Sequence, residues 1–176
     1  MISTGVVRKI DDLGRIVIPK EIRKTLGIRD GENLEITVED DKIKLSKKNI
    51  INNHITEIKE LCLVAGAILP GTLMVTDRER VTNVAGNEIS VKVGDKISDQ
   101  LIDLLDKRMM YNDIKMERIV IGNKEFIGYY LIYPIIDDGT SLGLVILYND
   151  KGPVKEYEIL IKYLSYILSR KLDISW

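Results

Sequence analysis

Near the start of the chain, short β-branched apolar runs, Val6-Val7 and Ile16 to Ile18, are separated by polar residues. Gly5 to Ile10 and Arg15 to Ile18 therefore read as two short β-branched strands, reversed by Asp11-Asp12-Leu13-Gly14, where Gly14 supplies positive φ. Pro19 cannot continue as a central strand but suits the first turn of a helix, so a helix is predicted from Pro19 to Leu26, closed by Gly27. After the Asp30-Gly31 turn, Leu34, Ile36 and Val38 alternate with polar residues. Asp40-Asp41 reverses the chain, and Ile43 and Leu45 alternate again, which makes a β-hairpin. A β-β-helix-β-β unit of roughly 45 residues, without disulfide or metal, is too small to bury a sufficient core alone, so it is expected to dimerise.

The period then lengthens. Ile51, Ile55, Ile58, Cys62, Ala65 and Leu69 recur at spacings of three and four, an amphipathic helix stopped by Pro70-Gly71; its seam is read as a packing face first and a coiled coil second. Thr72 to Thr76 and Arg80 to Val84 read as strands, and Ser98 is placed to cap a helix from Asp99 to Met109. Longer strands follow at Glu117 to Ile121, Glu125 to Ile136 and Leu142 to Tyr148, with turns at Gly122-Asn123-Lys124 and at residues 137–140. Val154, Tyr157, Ile161, Leu164, Leu168 and Leu172 mark a final amphipathic helix. The expected class is α+β, divided into a small domain over 1–50, a linker helix over 51–70 and an antiparallel sheet with flanking helices over 71–176.

Charge changes the picture at one place. The chain of 176 residues has a net charge of −1. Thr4 to Arg29, however, holds seven Lys/Arg against three Asp/Glu, a net +4, which is where nucleic-acid phosphate would be met. No apolar run reaches the roughly 18 residues of a membrane helix, and no leader-like apolar segment opens the chain, so a cytoplasmic protein is expected. One cysteine, Cys62, and one histidine, His54, leave no disulfide framework and no zinc cluster; no metal or cofactor is expected. Cys62 reads as a small apolar filler and His54 as a solvated residue. Tyr129, Tyr130, Tyr133 and Tyr148 alternate along two strands, so core packing is preferred over ligand stacking. Asp40-Asp41 and Asp137-Asp138 are turn residues before they are acid/base or metal groups.

The residues TG-VRKID-LGRIVIP-EIRKTLGI of the opening stretch resemble the DNA-binding domain of the AbrB-type transition-state regulators. That resemblance implies two chains exchanging hairpins into one swapped-hairpin β-barrel, with a face for double-stranded DNA formed by both. Arg8, Arg15, Arg23 and Lys24 match its basic DNA-contacting positions. The family often has arginine at the last of these; lysine there keeps the attraction but lacks the bidentate fork. YPIIDDGTSLGLVILYND, residues 133–150, resembles the end of GAF domains. Together the halves are similar to two-domain sporulation regulators, which implies repression and activation of late sporulation genes, and a tetramer joined through the C-terminal domains. A small-molecule ligand at the GAF-like domain would lie between Val84 to Asp95 and Tyr111 to Lys115.

Two other classes compete. Some antitoxins share the swapped-hairpin fold, but they follow it with a disordered toxin-binding tail, whereas residues 70–172 read as folded. A thiol-dependent reductase needs a reactive cysteine and usually a resolving one. The only cysteine lies on the linker helix, so no enzyme activity is expected.

Overall fold

The computed structural model of the chain describes residues 5–28, 30, 34–47, 51, 55–86, 90–112, 115–137 and 139–173. It is a mixed α+β structure in two compact units, Met1–Lys48 and Asn49–Trp176.

In the first unit, α1 (Lys20–Thr25) starts at Pro19 and ends in Leu26-Gly27, close to its predicted bounds. Its end is a Schellman motif: Gly27 adopts φ +63°, its N–H donates to the Lys24 carbonyl at 3.2 Å, and the Ile28 N–H donates to the Arg23 carbonyl at 2.7 Å. The hairpin of β1 (Leu34–Glu39) and β2 (Lys42–Lys47) forms as expected, pairing Ile36 with Leu45 and Val38 with Ile43. Asp40 and Asp41 both take positive φ, as a two-residue hairpin turn with the right twist requires. The two opening strands differ from expectation. The Asp11–Gly14 reversal is present, but residues 5–10 and 15–18 join no ladder among the described residues. Strand-like sequence does not by itself supply a pairing partner; β1 and β2, of similar length, have one in register. Among the described residues of this unit none is buried.

The second unit is an antiparallel sheet in the order β4-β3-β7-β6-β5. Its strands are β3 (Thr72–Thr76), β4 (Val81–Gly86), β5 (Glu117–Ile121), β6 (Lys124–Asp137) and β7 (Thr140–Asn149). Alternation decides what each face buries. Leu73, Val75, Leu131, Tyr133, Val145 and Leu147 meet α2 (Ile55–Ile68) and α4 (Glu158–Asp173) through Ile58, Cys62, Ile161, Leu164 and Leu168. On the other face Met74, Tyr130, Ile132, Leu144 and Ile146 pack on Leu101 and Leu105 of α3 (Asp99–Asp106). Central β7 is buried almost throughout because helices cover both its faces, which is why it reads as a continuous apolar run. Ser98 stands at the N-cap of α3 as expected, yet its hydroxyl makes no capping hydrogen bond. The helix expected as a connector packs into this second core: Ile51, Ile58 and Cys62 are each 1% exposed.

Candidate nucleic-acid interface

The chemistry of the opening unit is built on the turn between Asp11 and Arg15. The Gly14 N–H donates to the Asp11 carbonyl at 3.0 Å, with Gly14 at φ +76°, and the Asp11 N–H donates to the Arg15 carbonyl at 3.1 Å. The Asp11 carboxylate caps the loop from inside. Its Oδ1 accepts from the Arg15 N–H at 2.7 Å and the Leu13 N–H at 3.1 Å, while Oδ2 accepts from Arg15 Nε at 2.8 Å. The Arg15 main-chain hydrogen bond, then its guanidinium, hold this carboxyl below its ordinary pKa.

The four basic residues singled out in the sequence fall on three local structures. Arg8 precedes the turn, is exposed, and donates from Nη1 to the neighbouring Val7 carbonyl at 3.1 Å. Arg15 closes the turn and stays 70% exposed. Arg23 and Lys24 occupy the last turn of α1, where cations oppose the negative end of the helix dipole. Arg23 is half-buried and ion-paired with Asp30; Lys24 is exposed. All four belong to one compact unit and none is buried. Such an array can attract phosphate through charge and, at the arginines, grip phosphate or guanine by paired N–H groups. The partners Asp11 and Asp30 are what the sequence reading missed. An Asp four residues before an Arg across a glycine turn was the available signal for Asp11.

Around this unit lies apolar surface of an unusual kind. Ile36, Leu45, Val38 and Ile43 share one face of the hairpin as cross-strand pairs, and all four are exposed. Val7, Leu13 and Val17 are at least 70% exposed as well.

Of the four tyrosines named in the sequence, Tyr130, Tyr133 and Tyr148 are core residues and Tyr129 is half-buried against the core. Tyr130 is fully buried and donates its hydroxyl to the Phe126 carbonyl at 2.7 Å; Tyr148 donates to the Ile127 carbonyl at 3.2 Å. Tyr133 donates at 2.5 Å to Glu158, which also accepts from Asn112 at 2.6 Å and pairs with Lys155 at 2.8 Å. Of the suggested ligand walls, 87–89 and 113–114 lie outside the described residues. Of the rest, Tyr111 exchanges both main-chain hydrogen bonds with Ile132 and Val91 is buried in the cluster that holds Leu101 and Leu105 of α3, while Val93 is exposed. Cys62 is buried and its thiol is pushed up to about 12 by burial, the opposite of a reactive thiolate. His54 lies outside the described residues. Among the described residues no group of three or more His, Cys, Asp or Glu could hold a metal, and no helix is long and apolar enough to cross a membrane.

Comparison with known proteins covers both units. Residues 7–52 match the family described as antidote-toxin recognition MazE, bacterial antitoxin. Residues 59–173 match the family described as stage V sporulation protein T C-terminal, transcription factor. Stage V sporulation protein T of Bacillus subtilis (strain 168) is 35% identical over 161 residues, 90% of each chain. The transition state regulatory protein AbrB of the same organism is 62% identical over 47 residues, 27% of this chain and 49% of that one. Among solved structures, a type II free methionine-R-sulfoxide reductase from Thermoplasma acidophilum superposes with a TM-score of 0.50 at 11% identity, over 70% of this chain and 94% of that one. At that identity the likeness extends to the fold and no further.

Proposed function

Since the chain belongs to the stage V sporulation protein T family, with an AbrB-like domain before the family's C-terminal domain, we propose that it is a sequence-selective transcriptional regulator of late sporulation genes that grips duplex DNA through Arg8, Arg15, Arg23 and Lys24. The observation that carries this is the opening unit itself. The stretch most similar to AbrB holds a +4 charge between Thr4 and Arg29, and its four motif cations lie outside any core.

A second copy completes that unit. The exposed hairpin face of Ile36, Leu45, Val38 and Ile43, and the unladdered strands around Val7 and Val17, are the surfaces two chains would bury by exchanging hairpins. Symmetry then doubles the four cations to eight on one face. The second unit, which we read as GAF-like, carries a comparable surface on its helices. Leu63, Val64 and Ile68 on α2, and Ile159, Tyr163 and Tyr166 on α4, are exposed apolar stripes suited to joining two such dimers into a tetramer. A small molecule bound by this unit near 84–95 and 111–115 would bias that assembly and with it the spacing of the DNA-binding faces.

The match to the MazE family favours a second reading, a toxin-neutralising protein. Against it stands the folded core of Asn49–Trp176, where antitoxins carry a disordered tail. Titrating the purified chain against sporulation promoter fragments and random duplex of equal length tests the regulator reading. A clear preference for some promoters supports it; equal weak affinity for all, with rapid proteolytic loss of everything after residue 70, would favour the antitoxin.

A further inference from the structure

We propose that Asp11 is a positioning residue for DNA binding: its carboxylate locks Arg15 at both main chain and Nε, so that the Nη1–Nη2 edge of the guanidinium is presented to the duplex already oriented. The inference rests on the DNA-binding reading above.

An acidic residue in a DNA-contacting patch is otherwise unexpected, because its charge repels phosphate. The geometry explains why this one belongs there. Oδ1 takes two main-chain N–H groups, at 2.7 Å from Arg15 and 3.1 Å from Leu13, which fixes where Cα of Arg15 lies relative to the turn. Oδ2 takes Arg15 Nε at 2.8 Å, which fixes the far end of the same side chain. Both ends of a long, rotamer-rich chain are thereby held. Among the described residues, Nε is the one guanidinium nitrogen of Arg15 with a protein partner, and the side chain remains 70% exposed. The two terminal nitrogens keep the fork that suits a phosphate or the O6/N7 edge of guanine. Holding that fork in place removes rotamer entropy that binding would otherwise have to remove.

Asp30 provides the contrast. It is also paired with an arginine of the patch, Arg23, but it is 92% exposed and that pair is its contact among the described residues. It is a counter-ion that phosphate can displace. Removing either carboxylate takes away the same charge, so the two separate positioning from electrostatics.

The test uses the full-length chain and four variants, D11N, D30N, R15A and D11N/R15A, titrated on a bound promoter fragment at fixed salt. Asparagine keeps an Oδ1 acceptor for the two main-chain N–H groups but presents an amide where Oδ2 was, so D11N cuts the link to Nε and spares the turn. D11N is expected to weaken binding roughly threefold per copy, about tenfold for a dimer, from the small strength of an exposed ion pair. D30N should bind as tightly as wild type or tighter, and D11N should have no further effect once Arg15 is alanine. Without DNA, the Arg15 Nε–H of the wild type should exchange slowly and be as ordered as the backbone, and should lose both properties in D11N. D11N tracking D30N, a D11N loss that persists in the R15A background, or a wild-type Arg15 Nε–H as mobile as that of Arg8 overturns the proposal. In those cases a wild type that binds and an R15A that does not leave the DNA-binding reading standing; a wild type that ignores duplex DNA removes both.

Discussion

Replacing Gly66 by alanine sets two effects of known size against each other. Gly66 lies in α2, where a helix gains at most about 1 kcal/mol from Gly→Ala, less near its end, and Gly66 is two residues from Ile68. A Cβ at this position would come within 2.6 Å of Cβ of Ala85 on β4 and 3.3 Å of its carbonyl carbon. Ala85 is buried and has no flexible end to swing aside, so the helix itself must lift from the sheet. Overpacking of that kind typically costs about 1–3 kcal/mol, so packing outweighs propensity and G66A should be destabilised by about 0–2 kcal/mol. For a unit of this size that lowers the midpoint by up to roughly 8 °C. Urea and thermal unfolding followed by far-UV circular dichroism measure it, fitted as two transitions because the chain has two units. The double variant G66A/A85G should recover part of the loss, a coupling of about 0.5–3 kcal/mol. A G66A protein more stable than wild type by the full propensity gain, with no coupling to position 85, would refute this packing of α2 on β4.

Other perturbations read other parts of the structure. Cys62, with its thiol near 12 instead of 9, should hold about a thousandfold less thiolate than a free cysteine, and should react with a disulfide reagent at pH 8 only after unfolding; rapid native labelling would contradict its burial. Glu158 is drawn from 4.5 down to about 2, first by Lys155 and then by Tyr133 and Asn112. A lowered carboxylate adds stability above its unfolded value that is lost as pH falls from about 4.5 toward 2, so E158Q should flatten the acid limb of stability there; an unchanged limb would place the acid sensitivity elsewhere. Tyr133 is pushed up to about 12, mainly by burial and next by Glu158, so the stability it contributes is present below pH 10 and lost between 10 and 12. Y133F should remove that alkaline loss, as spectrophotometric titration alongside unfolding would show.

Most of the elements were legible because each had a local cause. Gly27 and Pro19 punctuate α1, Asp40-Asp41 forces the hairpin turn, and the spacing of Ile58, Cys62 and Ala65 names the face that α2 buries. Leu142 to Tyr148 was legible as a strand, and the structure adds that it is buried on both faces. Three features were not legible. Residues 5–10 and 15–18 have strand-like sequences but join no ladder among the described residues, because pairing depends on a neighbour that strand-like sequence does not supply. The carboxylate partners of the arginines also escaped the sequence reading: Asp11 looked like a turn former, and only three-dimensional placement brings Oδ2 to Nε. The packing of α2 into the second core has the same origin, since an amphipathic seam does not say which surface it meets.

The most direct test of the account is DNA affinity against salt for the wild type and for R15A/R23A. If all eight cations of a dimer meet phosphate, log K should fall with log[salt] at a slope of about −7, from about −0.9 per neutralised phosphate. The double variant removes four of the eight and should bind more weakly with a slope nearer −3.5. A wild type that does not bind duplex DNA, or a variant with unchanged affinity and slope, would contradict the claim that this opening unit is the DNA-binding surface.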